Sequence, residues 1–406
     1  MEQAAKACGI QTYTRDQFVS RLADFRPYLD TLKAGYENDD IDRFFVPLKI
    51  QEEKKGKIAE VPVPLDAFID RWLAAENRNH LSVLGDFGTG KTWFCRRLAY
   101  RAAQAGGRVP IVVLLRDYSK AYDMEQVLTD ALENRYGVNL EAGFKTLEQL
   151  NAEGRLLILF DGFDEMERRV SDYRTAVDNF WEIAKLVCPK AKIVLTCRTS
   201  FFRHRAEEEQ ILARESAAAA ADLIDLKDRQ EFEVVHLAEF DDAQIQEAVR
   251  RRAPANWQDL FRRVQALPDI EDLSHRPVLL AMITETLPGL SKAEDLNLAT
   301  LYEKYTSDLL ARRVSESITA DDRRYFVEEL AWEMQTRQQL TVPFSEFPER
   351  VARRFQLKNA EEAAFFERDM RTQSYLIRDD TGNYRFAHKS MMEFFVARRL
   401  APLLVK

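Results

Sequence analysis

The sequence is poor in the residues that build disulfide frameworks and metal sites. It holds four cysteines and five histidines in 406 residues, and no spacing among them is typical of a metal site. The cysteines are Cys8, Cys95, Cys188 and Cys197. This usage predicts reduced thiols and a cytoplasmic location. No apolar run approaches the roughly 18 residues of a membrane span, and the first residues lack the apolar core of a signal peptide, so we expect no membrane segment.

Positive charge is also in deficit. The net charge is −8, which argues against a dominant surface for nucleic acid or membrane and leaves room for local basic patches. We find no internal repeat. A chain of this length is sufficient for about two to four domains with cores of their own.

Only 14 glycines occur in the chain, and three of the candidate site residues are among them. Residues 81–92 read Leu-Ser-Val-Leu-Gly-Asp-Phe-Gly-Thr-Gly-Lys-Thr, which predicts a short strand, a glycine-rich loop and the start of a helix. The pattern G-x-x-x-x-G-K-[ST] is satisfied, and the alternative is a glycine turn that caps a helix. In the first interpretation backbone N–H groups hold phosphates, Lys91 reaches the β- and γ-phosphates, and Thr92 binds Mg²⁺. The residues predicted to contact a nucleotide are Gly85, Asp86, Phe87, Gly88, Thr89, Gly90, Lys91, Thr92 and Trp93.

Apolar strands alternate with amphipathic helices around this loop. The strands are predicted at residues 81–84, 108–115, 155–160, 192–196 and 232–237. Continuous apolar strands separated by helices predict a parallel sheet that is covered on both faces. Ligands bind such sheets at the carboxyl ends of the strands, which is where the sequence motifs fall. The predicted fold class is therefore an α/β P-loop nucleoside triphosphatase.

An acidic motif, Phe160-Asp-Gly-Phe-Asp-Glu165, follows the most apolar of these strands. A carboxylate at such a strand end can hold the Mg²⁺ that bridges the β- and γ-phosphates, directly or through water, and we assign this role to Asp161. A further carboxylate can polarise the attacking water, with Glu165 as the first candidate and Asp164 as the second. Clustered carboxylates repel one another unless a cation neutralises them. The alternative is a solvated acidic turn.

A basic residue follows the next strand, in Leu195-Thr-Cys-Arg198. An arginine at this position can contact the γ-phosphate and report its presence. We therefore expect a sensor role for Arg198. The alternative is an ordinary surface contact.

These three motifs, in this order, resemble those of the NACHT class of STAND nucleotide-binding switches. The paired acidic residues after Asp161-Gly162 are the feature that separates NACHT from general P-loop enzymes. The resemblance covers about residues 60–400. It implies a nucleotide-binding domain followed by a helical domain and a winged-helix domain, ATP or ADP as the ligand, Mg²⁺ as the cofactor, and slow hydrolysis of ATP.

Two later motifs extend the resemblance. His275-Arg-Pro-Val-Leu-Leu280 is similar to the helical-domain motif of the family, which implies that Pro277 packs near the adenine; a helix-start proline is the alternative. Residues 384–399 resemble the winged-helix signature, which implies that His388 contacts the diphosphate of bound ADP and holds the closed state. For His388 the alternative is a packing or surface histidine.

The pattern of helices and strands divides the chain into four parts. We expect a helical lead-in and a charged linker or hairpin over residues 1–60, the nucleotide-binding domain over 61–238, a helical domain over 239–297 and a winged-helix domain over 298–406. In the final helix Lys389, Arg398 and Arg399 surround an apolar body, which is typical of a core helix. Nucleic acid is therefore not an expected partner. The alanine-rich residues 213–226 have no assigned role.

The resemblance implies an ATP/ADP-operated switch, the central module of a bacterial immune, anti-phage sensor. The closed form would bind ADP as a monomer, and exchange for ATP would permit self-association. Family members usually carry an effector before the nucleotide-binding domain and a recognition region after the winged helix. Because residues 1–50 are too short for a catalytic effector, we expect the effector and sensor on flanking segments or on other chains.

Other classes of function stay open at this point. One is a constitutive P-loop ATPase that remodels protein or nucleic acid, and a related one is a DNA-binding winged-helix regulator. Another is a scaffold that binds nucleotide and barely hydrolyses it. A basic recognition helix would favour DNA binding, and turnover near the range of ordinary enzymes would count against both switch and scaffold.

Overall fold

The computed structural model describes most of the chain. The described residues are 22–54, 57–86, 88–118, 123–165, 173–202, 207–208, 231–266, 273–286, 299, 302–303, 306, 319–346, 376–378, 383–386 and 389–404. Within them lie two sheets and the helices that connect and cover them. None of the helices described is long and apolar enough to cross a membrane.

The larger sheet has eight strands. They are β1 (Lys49–Lys54), β2 (Lys57–Ile58), β3 (Val63–Pro64), β4 (Arg78–Leu84), β5 (Val109–Leu114), β6 (Leu156–Asp161), β7 (Ile193–Cys197) and β8 (Glu231–Leu237). The spatial order is β2-β1-β8-β4-β7-β6-β5, and β3 pairs with β1. Strands β4 to β8 run parallel, so their carboxyl ends meet at one edge of the sheet.

Helices precede, connect and follow these strands. They are α1 (Arg26–Asn38), α2 (Ile41–Phe44), α3 (Leu65–Ala74), α4 (Lys91–Ala105), α5 (Met124–Thr129), α6 (Phe144–Ala152), α7 (Tyr173–Ala184), α8 (Asp242–Arg252), α9 (Trp257–Gln265), α10 (Pro277–Thr286), α11 (Ala320–Thr336) and α12 (Lys389–Leu404). Short single turns follow three strands of the larger sheet, at Leu115–Asp117, Phe163–Glu165 and Thr199–Phe201. These turns lie at the carboxyl edge of the sheet.

The sheet is buried on both faces, as the run of apolar residues in β6 predicts. Leu157 and Leu159 pack into the hydrophobic cluster on one face, and Ile158 and Phe160 pack into the cluster on the other. All four side chains are buried, because successive residues of a strand point to opposite faces. The expected α/β architecture with a parallel sheet is confirmed.

One correction concerns the edge of the sheet beside β8. Strand β1 pairs with β8 in the antiparallel direction, so the sheet is mixed rather than wholly parallel. The charged run at residues 51–60, expected as a linker or a hairpin, begins in this strand and turns back through β2. Strand β1 lies between β8 and the short strands β2 and β3, and its residues Glu52 and Glu53 are partly buried.

The carboxyl-terminal part contains a second, three-stranded sheet. Its strands are β9 (Val342–Pro343), β10 (Leu376–Arg378) and β11 (Asn383–Phe386), in the order β10-β11-β9. Tyr375-Leu-Ile and Tyr384-Arg-Phe on either side of a polar turn predict a β-hairpin, and the pairing of β10 with β11 is antiparallel. Helices α11 and α12 pack against each other beside it. The sequence also predicts helices at residues 299–313, 345–355 and 361–372, which lie largely outside the described residues.

The second sheet is attached to the first by specific contacts. The Tyr384 hydroxyl donates to the Phe202 carbonyl at 3.0 Å, just after the turn that follows β7. The Arg378 guanidinium pairs with Glu208 at 2.6 Å. Apolar residues of α11, α12 and β11 continue the cluster that covers one face of the larger sheet. The carboxyl-terminal part is therefore packed directly on the nucleotide-loop part.

Candidate nucleotide-binding site

The glycine-rich loop joins β4, an interior strand between β8 and β7, to α4. Gly88 and Gly90 have positive φ angles of 80° and 100°, a backbone conformation that glycine adopts most readily. At Gly85, a Cβ atom would lie 2.7 Å from Thr89 Oγ1. Thr89 Oγ1 donates to the Asp86 carbonyl at 2.8 Å, which fixes the first half of the loop. The local geometry therefore requires small residues at the three glycine positions.

Lys91 lies at the N-terminus of α4 and bends back over the loop. Its ammonium donates to the carbonyl oxygens of Gly85 at 2.5 Å and Asp86 at 3.0 Å. Burial lowers the pKa of Lys91, while the nearby carboxylate of Asp164 acts in the opposite direction. The positive charge of Lys91 is thus held beside the loop and the helix N-terminus, where phosphate binding is favoured.

Asp161, the last residue of β6, is held in place by its neighbour strand. Its Oδ1 atom accepts a hydrogen bond of 2.7 Å from Thr196 Oγ1, and that hydroxyl in turn accepts from the Gly162 N–H at 2.9 Å. Burial, together with the Asp161 carboxylate, raises the pKa of the Cys95 thiol one turn into α4. The carboxylate therefore lies close to the first turn of α4.

The donor set at this position is suitable for Mg²⁺. The Thr92 hydroxyl is exposed on the first turn of α4, and the Asp161 carboxylate lies beside that helix. Magnesium prefers oxygen ligands and retains several waters, so it needs few protein ligands besides phosphate oxygens. The side chains present thus fit the ion.

Arg198 and the two carboxylates after Gly162 form a buried ion cluster. Arg198 Nε lies 3.0 Å from Asp164 Oδ2, the Arg198 backbone N–H donates to Asp164 Oδ1 at 3.0 Å, and Arg198 Nη2 lies 3.6 Å from Glu165 Oε1. The side chains of Asp164 and Arg198 are 1% and 4% exposed, whereas that of Glu165 is 21% exposed. Burial and the negative charge of Asp164 raise the pKa of Glu165.

A cavity of about 330 Å³ opens over these groups. Lys91, Thr92, Glu165 and Arg198 line its polar end, together with Arg116 from the turn after β5. The rest of the wall, here called the apolar end, is mainly apolar but also includes Arg252, and its apolar residues include Phe45, Val46, Leu48, Phe240, Pro277 and Val278. A pocket with one charged end and one apolar end matches the chemistry of a nucleotide.

Helix α10 closes the cavity against the loop. The Val278 N–H donates to the Gly88 carbonyl at 3.3 Å, and a Cβ atom on Gly88 would lie 2.2 Å from Val278 Cγ1. Pro277 begins this helix and also lines the cavity. The two interpretations of Pro277, a helix-start residue and a neighbour of the base, are thus compatible in this geometry.

Most of the residues singled out in the sequence lie together around this cavity. Gly88, Gly90, Lys91, Thr92, Trp93, Glu165, Arg198 and Pro277 line it. Asp161 and Asp164 are more deeply buried beside it. Phe87, His388 and the alanine-rich residues 213–226 lie outside the described residues.

Sequence reasoning missed several residues of the cavity. Arg116 ends an apolar strand of the same sheet, just as Arg198 does, so the same criterion would have selected it. Val46 and Phe240 carry no comparable signal, because single apolar residues in loops belong to no motif. The structure brings them to the cavity by pairing β1 beside β8.

A second group of polar side chains lies away from the cavity. Donor atoms of Glu53, Glu208 and His236 lie within 4.8 Å of one another, a set that divalent cations can use. Arg378 pairs with Glu208 and supplies positive charge from within the protein. We therefore assign no metal to this group.

A glycine-rich loop that joins an interior parallel strand to a helix, with Lys91 bent back over it, is the distinguishing feature of the P-loop nucleoside triphosphatases. Within that class, residues 79–256 match the model of the NACHT domain family. This part of the chain is a NACHT domain, and the predicted relationship is confirmed over these residues.

One relative matches nearly the whole chain. It is an uncharacterized WD repeat-containing protein of Nostoc sp. (strain PCC 7120), 34% identical over 423 residues that include 97% of this chain. The match covers 27% of the relative, so the chain spans about a quarter of that protein's length.

Two solved structures are similar to the chain at a low level. The Walker-type ATPase PABY2304 of Pyrococcus abyssi has 15% identity and a TM-score of 0.44, with 80% of this chain and 93% of that chain covered. The ORC1 protein of Aeropyrum pernix in complex with DNA has 14% identity and a TM-score of 0.37, with 84% and 91% covered. Similarity at this level carries no argument about ligands or partners.

Proposed function

We propose that this chain is the nucleotide-operated module of a cytoplasmic signalling switch of the STAND class. It would hold ADP in a closed form and exchange it for ATP on activation. The observation that supports this proposal is the composition of the cavity wall, which combines the P-loop with α10 and with the segment before β1. A nucleotide in this cavity would contact several parts of the chain at once, so its identity could control their arrangement.

The polar end of the cavity is suited to the phosphates. Lys91 would exchange two carbonyl acceptors for phosphate oxygens, which are charged and therefore stronger acceptors. Thr92 and Asp161 would hold Mg²⁺, and the bound ion would neutralise charge on the phosphates. The apolar end, with Val46 and Pro277, would take the base. We assign adenine there, and we assign contact with the diphosphate of ADP to His388, both by resemblance to the family.

Hydrolysis would depend on Glu165. Its side chain reaches the cavity, whereas Asp164 is buried and held by Arg198 through two contacts. Glu165 is therefore the better candidate to polarise an attacking water. Arg198 also lies 3.6 Å from Glu165, and its positive charge opposes the rise in the pKa of that carboxylate that burial and Asp164 cause. We assign slow hydrolysis to this chain by resemblance to the family.

Activation would require a shift between two arrangements of the chain. Moving such an equilibrium from mostly closed to mostly open takes about 5 kcal/mol of differential binding. A triphosphate, its Mg²⁺ and contacts between subunits could supply this together, so assembly would accompany exchange. The relative carries WD repeats, as its name states, and we propose that repeats of this kind recognise the activating signal in an anti-phage sensor.

Docking of DNA on the last helix is disfavoured by its charge pairing. Arg398 pairs with Glu303 and Glu328, Arg399 lies 3.8 Å from Glu329, and Lys389 lies 3.2 Å from Glu393. The apolar residues of the helix, among them Met391 and Phe395, are buried. A recognition helix would instead present unpaired basic side chains to the phosphates of DNA.

The proposal is tested by the nucleotide that the purified protein carries. After denaturation, chromatography of the released nucleotide should give close to one ADP per chain. Lys91→Ala should abolish this, whereas Lys185→Ala, which changes an exposed lysine paired with Glu182, should not. No bound nucleotide together with rapid ATP turnover would refute the switch in favour of a cycling ATPase. ADP retained by Lys91→Ala would refute the assignment of the loop.

A further inference from the structure

Two arginines face the polar end of the cavity. Arg198 follows β7, and Arg116 lies in the turn after β5, the edge strand that pairs with β6. The turn Leu115–Asp117 packs against the turn Phe163–Glu165, which brings Arg116 beside the acidic motif. Both guanidinium groups line the same cavity as Lys91.

The two arginines differ in their existing partners. Arg198 is buried, and Asp164 occupies its guanidinium at 3.0 Å. To reach a phosphate it would have to leave Asp164, and an unpaired buried carboxylate is strongly unfavourable.

Arg116 has no comparable buried ion pair among the described residues. Its side chain is 51% exposed, and its ion pair with Asp117 is long, at 4.0 Å. Asp117 is itself bound by Arg135. Within the described part of the chain, the Arg116 guanidinium makes no hydrogen bond, so it can bind an anion in the cavity without giving up a buried contact.

We propose that Arg116 binds the terminal phosphate of a nucleoside triphosphate and is the residue by which this arrangement distinguishes triphosphate from diphosphate. This inference rests on the proposed function, because it requires the phosphates to lie at the polar end of the cavity. The Lys91 side chain reaches carbonyls of the loop after the interior strand β4, whereas Arg116 follows the edge strand β5. The two cations therefore approach from different sides, and Arg116 approaches from the side of Glu165.

The test compares the affinity for ADP with that for the non-hydrolysable triphosphate AMPPCP, measured by calorimetry on nucleotide-free protein with Mg²⁺. Arg116→Ala should weaken AMPPCP about tenfold or more, since a charge-assisted hydrogen bond is lost, and should leave ADP within about twofold. Arg116→Lys keeps the charge and should recover part of the loss. Arg262→Ala is the control, because Arg262 is an exposed arginine that pairs with Asp259 and is not among the residues that line the cavity, and it should change neither affinity.

The possible outcomes separate the two proposals. An unchanged ratio of the two affinities in Arg116→Ala, or an equal loss of both, would overturn the role of Arg116 and leave the proposed function standing. Failure of the unaltered protein to bind either nucleotide would overturn the proposed function and this inference with it. Loss of both nucleotides in Lys91→Ala, with selective loss of AMPPCP in Arg116→Ala, would support both.

Discussion

Two buried arginines, each paired with a carboxylate, lie in different parts of the molecule. Arg198 pairs with Asp164 beside the cavity, and its partners follow the adjacent strand. Arg378 in β10 pairs with Glu208 between the two sheets, where both side chains are at most 3% exposed. Glu208 also lies 3.6 Å from His236, which binds Glu53 at 3.0 Å.

The difference between the two clusters is their access to a ligand. The cavity cluster includes Glu165, which is partly exposed and faces bound phosphate in our proposal. The inter-sheet cluster has its charges balanced by other protein groups, and it links strands that are far apart in the sequence. A buried ion pair contributes little net stability, yet removal of one partner is costly. The first cluster is therefore suited to chemistry and the second to holding two parts together.

The largest expected effect is on the inter-sheet cluster. Arg378→Ala should lower the free energy of unfolding by about 3–5 kcal/mol, because it removes the guanidinium that pairs with the buried carboxylate of Glu208. Urea denaturation would measure this. Arg250→Ala removes an exposed arginine paired with Glu247, and it should change stability by less than about 1 kcal/mol. Equal effects of the two variants would contradict the structural role of Arg378.

The second prediction concerns catalysis at the cavity cluster, and its expected effect in free energy is smaller than that of Arg378→Ala. Glu165→Gln should reduce ATP turnover about 100-fold or more while leaving nucleotide affinity and stability nearly unchanged. Asp164→Asn should instead destabilise the protein, because Arg198 then loses its charged partner. Steady-state phosphate release and urea denaturation of both variants separate the two roles. Unchanged turnover in Glu165→Gln would transfer the catalytic role to Asp164.

The third prediction concerns His80, a buried histidine for which burial disfavours the charged form. His80 in β4 packs against Phe180 and Phe232, and burial lowers its pKa to about 3 from 6.5. In acid the unfolded chain binds a proton that the folded chain does not, so the stability present above pH 6.5 is lost as the pH falls towards 3.

At pH 5 the loss through His80 should be about 2 kcal/mol relative to neutral pH. The measurement is urea denaturation at pH 7 and pH 5 of the unaltered protein and of His80→Leu, which cannot bind the proton. The unaltered protein should lose about 2 kcal/mol more than the variant. The same acid sensitivity in both would assign it to other groups, among them the ion clusters.

The cavity cluster was predictable from the sequence, and the inter-sheet cluster was not. Lys91, Asp161 and Arg198 each follow a strand whose apolar run is plain, and the parallel sheet aligns those strand ends at one edge. The spacing of the motifs was therefore sufficient to predict which residues meet at the polar end of the cavity. The deep burial of Asp164 against Arg198 was not predicted, because spacing does not specify which of two adjacent carboxylates turns inwards.

Contacts between residues that are far apart in the sequence could not be predicted from local patterns. Glu208 and Arg378 are 170 positions apart, and each belongs to an otherwise unremarked charged stretch. Strand β1 was not predicted because residues 51–54 are polar or charged, and a charged run is equally typical of a linker. Val46 enters the cavity only because β1 pairs with β8. Tertiary packing, rather than local pattern, decides these cases.

The contact between Gly88 and Val278 has a thermodynamic consequence. The loop that would hold the phosphates and the first turn of α10 share a hydrogen bond and leave no space for a Cβ atom between them. Seating of α10 and occupancy of the loop are therefore linked equilibria. Thermodynamic linkage is reciprocal. If a ligand at the loop increases the equilibrium constant for seating of the helix by some factor, the seated helix increases the affinity for that ligand by the same factor. A partner protein that pulled on α10 would thereby change nucleotide affinity without touching the nucleotide.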